Sequence, residues 1–300
     1  MSLESRIHRS GPLRFLLGTR LVDLDAHLVG DEPLTEQEVS LLRVLHEAPS
    51  MLVRLAPLYL MEGDVDLARS MLRDAARGGA RQQCRSQEGG ALLNLAMLEA
   101  TVGESGAARE LLVQVARGGF CDGCAMMDVQ VELALSLAAM ADGELGLARR
   151  HAENAVDRSR TRGGRRMEGA ALGFVLRLDV LAGRRHSPVG DEAVALCRDS
   201  GLHLLGCMVV GLRAWLAARA GEPHAGELAD EAVKLADVGG RADEPVCAFA
   251  GAAVAYASVG RAEDAHRCLA EAERLADEMS FLLGLVELAA QARDEVGAVS

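Results

Sequence analysis

Apolar residues recur along the chain in blocks, and most blocks end at a glycine that is followed by a short turn and a second apolar block. After the turn the apolar residues recur at i, i+4 and i+7, which places them on one face of a helix. A helical hairpin cannot bury such a face alone, so this pattern favours stacked hairpins. The turn glycines, spaced by about 40 residues as in known repeat arrays, are Gly63, Gly103, Gly143, Gly183, Gly221 and Gly260.

The repeats predict six helix pairs over residues 51–279, followed by a C-terminal capping helix and tail over 280–300. The first helices of the pairs are predicted at 51–62, 89–102, 126–142, 167–182, 203–220 and 245–259. The second helices are predicted at 64–78, 105–117, 145–161, 189–200, 225–238 and 262–278, and the last helix at 280–294.

The first 50 residues fit the repeat poorly, and we predict capping helices there. One helix is predicted over Leu13–Val29. Another is predicted over about 35–48, because Thr35 and Glu38 have the spacing of a capping box.

Composition supports an all-α chain throughout: half of the residues are hydrophobic, only 3% are aromatic, and the apolar residues are mainly the helix formers Ala and Leu.

Small residues mark both helices of each pair. One precedes the turn glycine by about two helical turns, as Ala56, Ala96, Ser136, Ala214 and Ala253, and an alanine follows it, as Ala68, Ala108, Ala148 and Ala265. Over residues 50–293 this pattern resembles the tetratricopeptide repeat, which implies a right-handed superhelical solenoid of antiparallel helix pairs. The unit is longer than the usual ~34 residues and lacks the closing proline. It is therefore similar to the sensor region of large bacterial transcription activators of the maltose-activator type. HEAT-like pairs are the structural alternative.

The resemblance implies that the first helices line a concave groove. Its central row reads Pro57, Met97, Leu137, Arg177, Trp215 and Val254. We predict that Arg177, Trp215 and Arg219 bind an acidic or amphipathic partner segment, with Met97 and Leu137 in the apolar part of the groove, since Trp and Arg are common binding anchors. Gly173 and Gly211 are expected to leave space in the groove. The alternative is that Trp215 is core between repeats and Arg177 a solvated side chain.

Motifs for catalysis are absent from the sequence, which has no phosphate-binding glycine loop and no HExxH. Cys121 and Cys124 form a CxxC, and Cys84 occupies the equivalent loop of the preceding repeat. Three thiolates could bind zinc, or the CxxC could be a redox pair. The simpler interpretation is that these are small residues in tight loops. We predict no cofactor.

The formal net charge of −12 argues against non-specific nucleic-acid binding, which needs clustered positive charge. One alternative is a direct DNA-binding regulator: residues 34–48 resemble the first helix of the DNA-binding module of bacterial two-component-type regulators, and residues 34–62 would carry the contact. No apolar stretch is long enough to predict a membrane span, and no signal-peptide order is present, so a cytoplasmic location is expected.

These patterns together predict a non-catalytic binding module, a scaffold or sensor in bacterial regulation. Its predicted partner is a protein or peptide in the concave groove, and a small effector is an alternative. Self-association through an uncapped apolar end is a further open alternative. An all-α enzyme with a metal site at Cys84, Cys121 and Cys124 is the remaining catalytic hypothesis.

Overall fold

The computed structural model describes residues 14–17, 20–23, 28–29, 32–33, 49–61, 63–120, 125–162, 164–237 and 243–299. The chain divides into two compact units. Unit 1 comprises residues 1–98 and 111–122, and unit 2 comprises residues 99–110 and 123–300.

Thirteen helices follow one another in the described part of the chain, and they confirm the predicted array of helix pairs. Most of their bounds fall within a few residues of the predicted ones. They are α1 (Pro49–Met61), α2 (Val65–Arg81), α3 (Arg85–Thr101), α4 (Ser105–Arg117), α5 (Ala125–Ala141), α6 (Leu145–Arg162), α7 (Arg165–Leu181), α8 (Gly190–Asp199), α9 (His203–Ala220), α10 (Ala225–Ala236), α11 (Asp243–Ser258), α12 (Ala262–Glu278) and α13 (Leu285–Val299).

The turn glycines have the backbone conformation that the repeat pattern requires. Gly221 ends α9 in the left-handed region, at φ 72°, where a side chain would cause strain. Its N–H donates to the carbonyl of Ala218. The other five predicted turn glycines also have positive φ, between 68° and 87°. These turns reverse the chain, and within unit 2 the two helices of a pair pack on each other, as α5 does on α6.

Unit 1 begins with a small antiparallel sheet rather than a helix. The strands are β1 (Arg14–Leu17), β2 (Arg20–Asp23), β3 (Leu28–Val29) and β4 (Glu32–Pro33), and they pair in chain order.

The predicted helix over Leu13–Val29 is therefore wrong. Only two residues, one of them Gly18, separate β1 from β2 in the sequence, a spacing typical of a β-hairpin. The other predicted capping helix, over 35–48, lies outside the described residues. After the sheet, α1 packs on α2 within this unit.

Unit 2 contains α5 to α13, preceded by residues 99–110. From α5 to α12, the two helices of each pair pack on each other. First helices of neighbouring pairs also pack on one another, as α9 does on α11. Alanines at the predicted small positions, such as Ala148 and Ala265, are fully buried. Small side chains here let neighbouring helices approach closely. Within the described residues, no helix combines the length and apolar character that crossing a bilayer requires.

The C-terminal helix begins later than predicted, at Leu285 instead of residue 280. Residues between α12 and α13 form a turn in which Gly284 has φ 75°. Because no helix can continue through that conformation, the start of α13 is displaced by about one turn. This helix packs on α11 and α12.

Candidate binding surface

Trp215 and Arg219 lie one turn apart near the end of α9, so they share a face of that helix. The Trp215 side chain is fully buried. The guanidinium of Arg219 lies 5.2 Å from the centroid of the indole ring, in a cation–π contact. The pair thus forms one positively charged anchor on an aromatic base.

Both side chains of this pair bind the carboxylate of Glu295, which α13 presents to them. Trp215 Nε1 donates to Glu295 Oε2 at 2.9 Å. Arg219 Nε lies 3.1 Å from both carboxylate oxygens, and its Nη2 donates to Oε1 at 2.5 Å. Charge-assisted bonds of this kind are stronger than neutral ones, so Glu295 is a specific anchor for the last helix.

A second anchor lies at the carbonyl of Val180, in the last turn of α7. Arg219 Nη1 donates to this oxygen at 2.9 Å, and Gln291 Nε2 of α13 donates to it at 3.1 Å. Carbonyls in the last turn of a helix lack full helical partners, so they can accept such bonds. Gln291 and Glu295 are one turn apart, and α13 therefore lies across both α7 and α9.

The turn before α13 is held by Arg177. Arg177 Nη2 donates to the carbonyl of Leu283 at 2.5 Å, while the amide of Leu283 donates to Thr101 at 2.7 Å. Arg177 is only 5% exposed, its Nη1 lies 3.6 Å from Asp243, and its buried Nε has no hydrogen-bond partner among the described residues. This arginine thus retains donor capacity that the chain does not use.

We call the part of unit 2 formed by Arg177, Val180, Trp215 and Arg219 the docking surface. It unites three of the predicted binding residues, Arg177, Trp215 and Arg219, around one segment of the same chain.

The other two predicted binding residues lie on helices that do not carry the docking surface. Leu137 of α5 is 4% exposed, so it belongs to the core of unit 2. Met97 is half-buried and belongs to unit 1. The predicted open space at Gly173 and Gly211 is wrong: a Cβ on Gly173 would lie 2.4 Å from Met208, and one on Gly211 would lie 2.5 Å from the Cα of Ala248. Both glycines permit close packing between first helices.

Sequence reasoning missed Gln291 and Glu295. Their one-turn spacing places them on one face of the last helix, and this was the available signal. It does not reveal which arginine or carbonyl they meet, because those contacts join residues far apart in sequence, as in the Gln291–Val180 bond with a separation of 111.

A half-buried carboxyl pair, Asp243 and Glu244, lies beside Arg177 at the start of α11. Burial, and then the neighbouring charge of Asp243, raises the pKa of Glu244 from its ordinary 4.5 to about 8. The charge of Arg166 opposes this shift and lowers the pKa. Glu244 therefore titrates near neutral pH.

The predicted cysteine site lies mostly outside the described residues, which exclude Cys121 and Cys124. Cys84 is a free, half-buried cysteine whose Sγ lies 3.5 Å from Ser86 Oγ, and this hydrogen bond lowers the pKa of its thiol. Within the described part of the chain, no three His, Cys, Asp or Glu side chains are grouped as metal ligands. The metal hypothesis thus stays a prediction. The proposed DNA contact over 34–62 is described only from residue 49, where α1 begins.

A second concavity, of about 480 Å³, lies between α8 and α10. Arg213 on its wall donates to Asp191 at 2.8 Å and to Glu222 at 2.6 Å, and Arg198 Nε donates to Glu231 at 2.9 Å. These cations already bind carboxylates of the chain. The charged side chains that line this concavity therefore form ion pairs between neighbouring repeats.

Comparison with known proteins identifies the fold. No protein family model matches the sequence, and no curated protein matches it. Solved structures do match. One is a Rap protein in complex with competence and sporulation factor, 14% identical, with a TM-score of 0.60 over 84% of this chain and 74% of that one.

A second match is a signal-transduction ATPase with numerous domains (STAND) and a tetratricopeptide-repeat sensor, from Pyrococcus horikoshii. It is 16% identical, with a TM-score of 0.58 over 88% of this chain. This chain spans 41% of that protein's length. These likenesses establish a repeat fold of the tetratricopeptide type and confirm the predicted fold class for the helical part of the chain.

Proposed function

We propose that this chain is a non-catalytic binding module that takes a protein or peptide segment on the docking surface. The observation that supports this is that Trp215 and Arg219 both donate hydrogen bonds to the carboxylate of Glu295. Buried Trp and Arg with apolar surroundings are the side chains that contribute most to binding energy at protein interfaces. Helix-in-groove recognition likewise uses side chains spaced by about one helical turn, as Gln291 and Glu295 are.

The finer part of the proposal is a role as a sensor or scaffold in bacterial regulation. Two structural neighbours support it: one was solved with competence and sporulation factor, and the other carries its repeats as a sensor. We extend to this chain the idea that such repeats detect a protein, a peptide or a small effector.

The test is affinity capture from native lysate with the full chain as bait, quantified by mass spectrometry. Wild type is compared with Arg177→Gln and Arg219→Gln, and with Arg185→Gln as a matched control on an exposed arginine. We expect one or a few proteins or peptides to be retained by wild type and by Arg185→Gln, and to be reduced about tenfold or more with the docking-surface variants.

If the same proteins are retained by all four baits, binding does not use the docking surface and the proposal is wrong. Circular dichroism of each variant separates loss of contact from loss of fold. Native mass spectrometry of wild type reports a retained small effector in the same preparation.

A further inference from the structure

We infer that the docking surface takes an amphipathic helix from a partner protein, with glutamine and glutamate one turn apart, and that α13 is the built-in stand-in for this helix. The inference rests on the proposed function and adds the chemistry of the partner. It also assigns α13 a competing role.

The chemistry of the partner is read from α13 itself. Its buried apolar residues include Leu288, Ala292 and Val296, and beside them Gln291 and Glu295 meet the two anchors. A helix that replaces α13 must reproduce both features. Otherwise the largely buried guanidinium of Arg219 would lose its anion, which is a large cost.

The surface also offers a contact that α13 does not make. Arg177 Nη1 forms an ion pair with Asp243 at 3.6 Å, but Nε is buried without a hydrogen-bond partner among the described residues. The turn gives this arginine a backbone carbonyl rather than an anion. A partner helix with a carboxylate near its N-terminus would fill this position, where the helix dipole also favours negative charge.

The connection between α12 and α13 makes the competition intramolecular. Only the turn around Gly284, with φ 75°, joins the two helices. A short connection of this kind gives a tethered helix an effective concentration in the millimolar range. A partner helix therefore binds weakly until α13 is loosened or until its own contacts exceed those of α13.

The experiment uses a fluorescently labelled synthetic peptide of residues 281–299 and the full-length chain, with binding followed by anisotropy. We expect the Glu295→Gln chain, whose own helix has lost its anchor, to bind the peptide about tenfold or more tightly than wild type. Asp294→Asn, the same change on the neighbouring exposed residue, should bind like wild type.

Two further combinations locate the site. Adding Arg219→Gln to the Glu295→Gln chain should abolish the gain, and so should a peptide that carries Glu295→Gln.

Equal binding to wild type and Glu295→Gln would overturn the inference and leave the proposed function standing, since the surface would then accept a helix without competition. Binding to none of the chains would also overturn the inference, while the capture experiment with the Arg177 and Arg219 variants still decides the proposed function. Hydrogen exchange of helices α5 to α12 in the Glu295→Gln chain verifies that the rest of unit 2 stays folded.

Discussion

Gly251 of α11 lies against Gly211 of α9, the first helix of the preceding repeat. A Cβ on Gly251 would be 2.0 Å from the carbonyl oxygen of Gly211. The two backbones are therefore in direct contact, and no flexible side chain intervenes that could move aside.

We expect Gly251→Ala to destabilise the protein although alanine is the better helix former. The new methyl group meets backbone, so α9 and α11 must separate, and overpacking of this kind costs about 1–3 kcal/mol. Gly90→Ala is the control: nothing lies within 4 Å of the added Cβ in α3, and a gain of about 0.5–1 kcal/mol is expected. Chemical denaturation of both variants measures the difference, and equal stability would contradict the close contact.

Glu295→Gln should lower the free energy of unfolding by about 1–3 kcal/mol, because Arg219 and the indole N–H of Trp215 lose their charged acceptor. Amide exchange along α13 should accelerate more than exchange in α9. Asp294→Asn changes the same charge on an exposed side chain and should leave both quantities near the wild-type values. A loss of similar size in the two variants would show that net charge, rather than the contact, is responsible.

The half-buried carboxyl of Glu244 should make the free energy of unfolding depend on pH near neutrality. Its pKa of about 8 in the folded chain lies above its ordinary 4.5, so the folded state holds the proton more tightly. The stability that this provides is fully present below pH 4.5 and is lost as the pH rises through about 8.

Glu244→Gln should therefore flatten the dependence of Tm on pH between about 5 and 8. Glu263→Gln is a matched control, since Glu263 is also the second residue of its helix but is exposed. If both variants keep the wild-type slope, Glu244 is not the titrating group.

Cys84 should react with iodoacetamide faster than the other described cysteines. Its thiol is accessible and its pKa is lowered by Ser86, whereas burial raises the pKa of Cys207 and of Cys247 to about 12. Peptide mapping after brief labelling of the native protein measures the order of reactivity, and labelling in denaturant gives the reference.

If added zinc protects Cys84 together with Cys121 and Cys124 from this labelling, the metal hypothesis gains support. Unchanged labelling would count against it.

The helices could be predicted closely because the signal repeats. Each turn glycine has a local conformational reason, and most are followed by a similar apolar spacing. The helix bounds of one repeat therefore help to predict those of the next. The N-terminal sheet could not be found this way. Its strands are short apolar runs outside the repeat, and such runs fit a helix or a strand equally well.

The docking surface could be predicted in part for a similar reason. Arg177, Trp215 and Arg219 follow from the position of the first helices in the repeat. Their burial beneath α13 does not follow, because the sequence does not specify where a last helix lies relative to repeats far upstream. Likewise, Gly211 reads equally well as open space or as a close helix contact until its neighbour, Ala248, is known.

The bonds from α13 to α7 also bear on the order of folding. Hairpins within a repeat close over short loops, whereas Arg177 reaches Leu283 across 106 residues and Gln291 reaches Val180 across 111. Closing a long loop costs conformational entropy before the contacts between its ends form and compensate that cost. The repeats can therefore assemble before α13 arrives, and the helix that completes the fold last is also the one that opens with the least disturbance of the rest.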